Sequence, residues 1–380
     1  MGLQIFKKLY RTLNEDDIFR VSVAEQKAFL EKQPEPKDDF ERSYLQYRAQ
    51  MFLLRKGMPL LLNLAALPLL ALYALRPPKG GMQPLTAQTD AVLLFADSDS
   101  IVPASLRREF TISQCKDFQA HLLLTGDDFR FLRQLRRRYP FAFYFRLKCM
   151  LKVSMFRSVI DACQPKALIC SEEYSFTSSV LTAYCQQMGV EHINIMHGEK
   201  LFYIRDSFFH FDRCYIWDEG YRKLFTALRA DPTQFCVALP PDLQPWDATG
   251  IEKTVDYTYY LQAEDGETLK KIASALRTLR EQGNVVAVRP HPLYSDLAQV
   301  RELFHGCLIE DKANTDIRTS ILRTRHVISA YSTVLLQAYT NGVPIVIDDI
   351  SNSGHFQHLR ELQYQMLSVE HTLLSECTAE

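Results

Sequence analysis

Apolar and polar positions along this chain fall into two regimes. Up to residue 57 charged residues recur at helical spacing, broken at Pro34-Glu35-Pro36. An uncharged run then extends from Met58 to Leu75 (MPLLLNLAALPLLALYAL) and stops at Arg76-Pro77-Pro78-Lys79-Gly80-Gly81, a strong breaker. From Asp90 onward, short apolar runs that end in turns alternate with helical segments. AVLLFA (91–96), HLLLTG (121–126), ALICSEE (167–173), VEHINIMHG (190–198) and RCYIWDE (213–219) read as strands, with a helix over about 177–188. The stretch 239–255, rich in Pro and Asp, reads as a linker. A second series follows: the strand TYYLQA (258–263), an amphipathic helix over 267–282, then NVVAVRPHP (284–292), CLIED (307–311), HVISAYS (326–332) and PIVIDD (344–349). Buried strands alternating with helices predict an α/β protein whose parallel sheets are covered on both faces. The simplest architecture is two doubly wound, Rossmann-like domains over 90–245 and 246–380. They stand behind a helical N-terminal extension, 1–89, and have a cleft between them.

The uncharged run needs its own reading. Its eighteen residues sit at the lower limit for a membrane span, with Asn63 and Pro68 inside it. Arg55 and Lys56 before it and Arg76 and Lys79 after it leave the positive-inside rule undecided. A crossing would also export the highly charged residues 1–57. A buried, re-entrant or interfacial helix is therefore preferred, with a core helix and membrane contact equally weighted.

Composition narrows the field. A chain of 380 residues suggests two domains or slightly more, and a net charge of −1 gives no global field for nucleic acid. The nine cysteines are irregularly spaced and form no C-x-x-C pair, which points to reduced thiols in a reducing compartment and away from zinc. The N-terminus lacks the apolar core of a signal peptide, so a cytoplasmic place is expected, at the inner face of the cell membrane. One segment departs from the average. Residues 129–152 hold eight Arg or Lys and no acid, interleaved with Phe and Tyr. That mixture suits anionic headgroups or a lipid-linked phosphate and also single-stranded nucleic acid; a wet face on an amphipathic helix explains it equally. Because the basic run is local, nucleic acid is disfavoured as a partner.

Candidate chemistry gathers at strand ends, where parallel sheets present groups to ligands. Val286–Val288 deliver Arg289-Pro290-His291-Pro292; the prolines stiffen the turn, so the imidazole of His291 is held with little entropy to lose. The strand 326–329 enters Ser329-Ala330-Tyr331-Ser332-Thr333 and then a helix. There the hydroxyls and free N–H groups make an anion site, or simply cap the helix. In the first domain, Ser171-Glu172-Glu173-Tyr174-Ser175 and Met196-His197-Gly198-Glu199-Lys200 follow strands. A carboxylate and a histidine facing a cleft are materials for a general base, and Gly198 permits close backbone approach. The alternative is a solvated Glu172-Glu173 loop and a surface Glu199-Lys200 pair, which leaves His197 the stronger candidate. Asp97-Ser98-Asp99-Ser100 reads as a polar turn rather than a metal site.

In order and rough spacing, the His197-Gly198 turn, the Arg289-x-His291-Pro292 turn and the Ser329-x-x-Ser332-Thr333 turn, followed by a helix and Gly342-Val343-Pro344-Ile345-Val346, resemble a known family. It is that of the GT-B-fold glycosyltransferases, and within them bacterial surface-polysaccharide enzymes: sialyl- and polysialyltransferases, Kdo transferases of capsule assembly and CDP-glycerol glycerophosphotransferases. The resemblance spans roughly residues 160–350. It implies a metal-independent enzyme that has no cofactor and uses a nucleotide-activated sugar as substrate. Arg289, His291, Ser329, Ser332 and Thr333 would hold the donor phosphates, with His291 assisting departure of the nucleotide. His197 or Glu172 would act as base, and Gly198, Glu199 and Glu173 would lie on the acceptor side. The implied reaction moves a sugar, a CMP-linked acid sugar among the options, to a hydroxyl of a surface glycan or lipid-linked acceptor. Membrane contact would run through 58–75 and 129–152. Glu199-Lys200 stands where the glycerophosphotransferases favour Thr-Pro, which weighs against a glycerol-phosphate donor. A polyol-phosphate transferase and a non-catalytic assembly subunit are the alternatives.

Overall fold

The computed structural model describes residues 21–75, 90–94, 101–115 and 124–379. The chain divides into two compact units. One comprises the residues up to His197 with Phe202–Pro241, the other Gly198–Leu201 with Asp242–Glu380.

The first unit opens with three helices, α1 (Val23–Glu31), α2 (Asp39–Leu53) and α3 (Met58–Leu75). Ser22 starts α1 with a reciprocal capping box to Glu25, and the Asp38 carboxylate caps α2 by accepting from the N–H of Glu41. Next come β1 (Ala91–Leu94), α4 (Ala104–Glu109), β2 (Ile112–Cys115), α5 (Gly126–Arg138), α6 (Phe143–Cys163), β3 (Ala167–Cys170), α7 (Ser178–Gln187), β4 (Glu191–Ile195), β5 (Arg213–Ile216), α8 (Glu219–Ala227) and β6 (Phe235–Val237). The strands form one parallel six-stranded sheet in the order β2-β1-β3-β4-β5-β6. Ala91, Leu93, Ile169, Ile193 and Ile195 build the core on one face, with Val102 and Leu106 from the α4 side.

The N-terminal helices are part of this unit rather than an appendage. Gln46 in α2 donates to the carbonyls of Glu173 (2.8 Å) and Arg205 (3.0 Å), and Ser43 Oγ accepts from the N–H of Val180 (2.8 Å). Tyr44 stacks on Tyr139 with ring centroids 3.9 Å apart, and both meet Phe145 edge-on. The uncharged helix α3 packs on the unit by one side. Asn63 pins one side of it, donating to Tyr47 Oη (3.1 Å) and accepting from the N–H of Tyr144 (3.1 Å), while Ala66 is buried beneath. Its other side is open to solvent. Among the described residues, no helix is long and apolar enough to cross a membrane.

The second unit contains β7 (Val255–Tyr260), α9 (Gly266–Glu281), β8 (Val286–Arg289), α10 (Leu297–Leu303), β9 (Leu308–Ile309), α11 (Ile317–Leu322), β10 (Thr324–Ser329), α12 (Thr333–Thr340), β11 (Ile345–Ile347), α13 (Ser353–Glu361), β12 (Thr372–Leu373) and α14 (Leu374–Cys377). Its sheet is again parallel and six-stranded, in the order β12-β11-β10-β7-β8-β9. The chain builds outward through β7, β8 and β9, then returns across β7 to lay β10, β11 and β12 on the other side. That is the doubly wound Rossmann order, with its topological switch between β7 and β10. Leu269, Ile272, Leu276 and Leu279 of α9 pack on Tyr259, Val288 and Ile328. Two Rossmann-like domains in succession are the architecture of the GT-B fold, the fold class that the strand and helix pattern predicts.

The differences in detail have simple causes. Of the predicted strand at 121–126, residues 121–123 lie outside the described set; Leu124 and Thr125 lead into α5, which Thr125 caps. Strand β2 carries Ser113 and Gln114 at half-buried positions, so it lacks the apolar run that marked the others. Strands β6 and β12 are too short for a period to show. The Asp97–Ser100 turn also lies outside the described residues.

Candidate functional site

A cavity of about 460 Å³ opens at the carboxyl edge of the second sheet. It is lined from three strand ends. Tyr260 ends β7 and Leu261 and Gln262 follow it; Arg289 ends β8 and Pro290, His291 and Pro292 follow it; Tyr331, Ser332, Thr333 and Val334 come after β10. Gly198 and Glu199, from the short segment that belongs to this unit, also line it, as does Ile317. The site therefore lies over the β7–β10 switch, where strands diverge and leave a crevice for a ligand.

His291 is held on several sides. Its backbone N–H donates to Ser295 Oγ (2.8 Å), and its ring stacks on Tyr294 with centroids 4.5 Å apart. The N–H of Leu293 donates to His291 Nδ1 (3.1 Å). Nδ1 must then be the bare nitrogen, so the ring proton sits on Nε2. Desolvation pushes the imidazole pKa below its ordinary value, so near neutral pH the ring is an uncharged Nε2–H donor.

Ser332 and Thr333 open α12. The Ser332 side chain caps the helix by accepting from the N–H of Val334 (3.2 Å). Neighbouring helices α9, α10 and α11 are capped by Asp265, Asp296 and Asp316. Those carboxylates already answer the positive end of each helix. At α12 a neutral hydroxyl does the capping, so the partial positive charge at the cavity edge is available to an incoming anion. Tyr364, fully buried, braces this turn: its hydroxyl accepts from the N–H of Ser332 and donates to the Ser332 carbonyl, both at 3.4 Å.

Two other residues of the same motifs hold the scaffold. Arg289 lines the cavity, but its guanidinium donates to the Thr315 carbonyl (2.9 Å) and lies 3.8 Å from buried Glu310, which also pairs with Arg323. Much of its charge is thus answered within the fold. Ser329 is fully buried, its Oγ donating to the Tyr260 carbonyl (3.0 Å) across the switch point. It ties β10 to β7 and does not line the cavity.

The carboxyl edge of the first sheet is organised differently. Glu172 and Glu173 are buried, so the solvated-loop reading does not hold. The Glu172 carboxylate pairs with Lys152 of α6. Asn194 of β4 accepts from the Glu172 N–H (2.8 Å) and donates to Glu173 Oε2 (3.0 Å). Ser171 Oγ donates to the Ile195 carbonyl (2.7 Å). Beneath them His192 is wholly buried against Thr182 and Cys170, and desolvation pushes its pKa down to about 3. It is a neutral core group. His197, at the end of this stretch, is exposed, and Gly198 next to it adopts a φ of +74°, a conformation that favours glycine.

Tyr260, Leu261, Gln262, Tyr331, Glu199 and Ile317 complete the cavity wall. Of these, only Glu199 was singled out as a site residue by the sequence. The sequence pattern placed Tyr260–Gln262 within the strand 258–263, whereas that strand ends at Tyr260, so their place at its edge was not visible. Among the described residues, no group of three or more His, Cys, Asp or Glu side chains is placed to hold a metal ion.

Fold and cavity together define a two-Rossmann-domain protein with a cavity at the carboxyl edge of its second sheet. No protein-family model matches the chain, and no curated protein matches it in sequence. Among solved structures it is similar to the UDP-GlcNAc 2-epimerase from Neisseria meningitidis bound to UDP-GlcNAc, with 9% identity over 76% of this chain and 89% of that one, and a TM-score of 0.44. It is also similar to a variant of the wall teichoic acid polymerase TagF with CDPG (10% identity, 88% of each chain, TM-score 0.44). A third is the lipopolysaccharide outer core galactosyltransferase WaaB (12% identity, 73% of this chain and 92% of that one, TM-score 0.40). Similarity at that level does not specify a substrate.

Proposed function

We propose that the protein is a nucleotide-sugar-dependent glycosyltransferase whose second unit holds the donor. The observation that carries this reading is the cavity at the β7–β10 switch. There a neutral His291 with its proton on Nε2 shares the lining with the hydroxyl-capped start of α12. A diphosphate or phosphodiester suits that pair. Helix N–H groups and the Ser332–Thr333 turn take the negative charge, and His291 Nε2–H donates to the phosphate oxygen that gains charge as the sugar–oxygen bond breaks. The acceptor hydroxyl forms the new bond to the anomeric carbon and loses its proton to a base, while the nucleotide leaves with the electron pair. His197 is assigned that base role. Glu172, with its carboxylate committed to Lys152, is the weaker choice. Glu199 and Gln262, polar but not cationic, suit sugar or ribose hydroxyls.

In this reading the donor to test first is a CMP-linked acid sugar, and the acceptor is a hydroxyl of a surface glycan or lipid-linked glycan, with the enzyme working at the inner face of the membrane. The neutralising groups are side chains and a helix end, so transfer is expected without an added metal. A thermal-shift screen against CMP, CDP, UDP and GDP tests the donor site, because a ligand that binds only the folded state raises its stability. At a concentration about a hundredfold above Kd, a stabilisation near 3 kcal/mol is expected. If no nucleotide stabilised the protein, the donor-site reading would be wrong. Transfer assays with His291→Ala and His197→Ala then separate an enzyme from a non-catalytic assembly subunit, which would tolerate both.

A further inference from the structure

Helix α3 reverses the usual arrangement of a surface helix. Its inner side is anchored by the one strongly polar residue it has, Asn63, and its outer side is leucine. Leu60, Leu61, Leu64, Leu67 and Leu72 fall within one stripe at helical spacing and are 65%, 55%, 59%, 47% and 59% exposed. No charged or hydrogen-bonding side chain interrupts Leu60–Leu72 on that stripe. A helix apolar all round needs cover on every side, and protein covers only one side of this one. A contiguous exposed apolar face of this kind marks a surface with a partner.

The surroundings say which partner. Exposed Arg55 and Lys56 precede the helix directly. The Asn63–Tyr144 hydrogen bond joins α3 to the start of α6, and three residues before Tyr144 stands Phe141, 82% exposed. Arg146, one turn further, lies over the Phe143 ring at 5.8 Å and donates to the Pro140 carbonyl (2.7 Å). Arg136 is close enough that its charge, after desolvation, adds to the lowering of the Arg146 pKa. Among the described residues neither Arg136 nor Arg146 is paired with a carboxylate, so both are available to an external anion. Leucines, an exposed aromatic ring and flanking cations are the components of an interfacial helix that lies in the headgroup layer. A second copy of the chain would bring the same cations against themselves.

We propose that the outer face of α3, with Phe141 and the cations Arg55, Lys56, Arg136 and Arg146, docks on an anionic lipid bilayer. The leucines sink into the acyl boundary, the basic groups meet lipid phosphates, and the helix lies along the surface without crossing. This rests on the exposed face and its charges, and stands or falls separately from the glycosyltransferase reading.

The test is flotation of the full chain with phosphatidylcholine vesicles and with vesicles containing about one-third phosphatidylglycerol, at low and high salt. The protein is expected to float with the anionic vesicles and to bind neutral ones at least about tenfold more weakly. The triple variant Leu61→Ser/Leu64→Ser/Leu72→Ser should lose anionic-vesicle binding about tenfold or more. Arg55→Glu/Lys56→Glu should weaken it and reduce its salt dependence, with Arg136 and Arg146 left to supply the rest. Circular dichroism and the nucleotide thermal shift should be unchanged in both, which excludes misfolding as the cause. Failure of the wild type to float would overturn the proposal, as would leucine variants that float equally well. So would a wild-type dimer that the leucine variant converts to monomer without any change in lipid binding, since the face would then be a self-association surface.

Discussion

At the carboxyl edge of the first sheet the polar side chains are tied to one another; at the same edge of the second they border an open cavity. Glu172, Glu173 and Asn194 are buried and, with the half-buried Lys152, form a set joined by hydrogen bonds and an ion pair, in which Glu172 Oε2 alone of that carboxylate is left without a hydrogen-bond partner. His291, Ser332 and Thr333 stand beyond strand ends in their own domain; His291 is tied through backbone N and Nδ1, and Ser332 serves as a helix cap, yet all three line empty volume. The lesson is that residue type at a strand end does not distinguish a site from a brace. What distinguishes them is whether the side chains are buried against one another or border open volume.

That contrast can be broken from either side. The largest effect is expected from Lys152→Met, which leaves the Glu172 carboxylate buried without its cation. A loss of about 3–5 kcal/mol is expected, read from denaturant unfolding followed by far-UV circular dichroism. A loss below about 1 kcal/mol would mean the first edge is not held together as described. His291→Ala should do the reverse: an unchanged unfolding midpoint, but transfer slower by about a hundredfold or more, measured with whichever nucleotide sugar the screen identifies. A large loss of stability in that variant would make His291 a structural residue.

Smaller effects sharpen the second edge. Ser332→Ala removes the α12 cap and should cost about 1 kcal/mol of stability, together with weaker nucleotide binding. Tyr364→Phe keeps the ring that packs on Tyr331 and removes the hydroxyl that pins the Ser332 turn. It is expected to cost about 0.5–1.5 kcal/mol and to raise KM for the donor more than it lowers kcat. Equal stability and KM in this variant would show that the turn holds itself.

The subtlest effect is on pH dependence, and it belongs to the first unit. His210 Nδ1 lies 2.6 Å from Asp39 Oδ1 of α2. Burial alone would lower its pKa, but the hydrogen bond to Asp39 and the nearby charges of Asp39 and Asp231 prevail and raise it. The unfolded imidazole titrates near 6.5. The stabilisation from this contact is therefore complete below that pH and is lost as pH rises through the higher folded value. Thermal unfolding across that window should show a fall that His210→Gln abolishes; an identical pH profile in the variant would remove the contact from the account.

How much of this was legible in the sequence depends on what each element needs from its own residues. β1, β3 and β8 carry buried apolar runs, and β4 and β10 carry shorter apolar stretches ended by turns, so local pattern sufficed. Strand β2, with Ser113 and Gln114 at half-buried positions, had no such run. The fold class followed from alternation, but strand order did not, because pairing is a long-range choice. Hence the β7–β10 switch, and with it Tyr260, Leu261 and Gln262, stayed hidden. His291, Ser332 and Thr333 were legible because rigid turns and caps are local chemistry. The confinement of Glu172 was not, since its cation comes from a separate helix. Nor was the burial of Ser329, whose polar group is answered by a neighbouring strand. For α3, the sequence showed an apolar run, and only packing showed which side remains open.

The account turns on the second edge being a nucleotide site and the first edge being a brace. Isothermal titration of the nucleotide that gives the largest thermal shift, into wild type, His291→Ala and Glu172→Gln, tests both at once. The account predicts saturable binding to the wild type, affinity at least about tenfold lower in His291→Ala, and affinity unchanged in Glu172→Gln. Binding that survived His291→Ala but was lost in Glu172→Gln would contradict it.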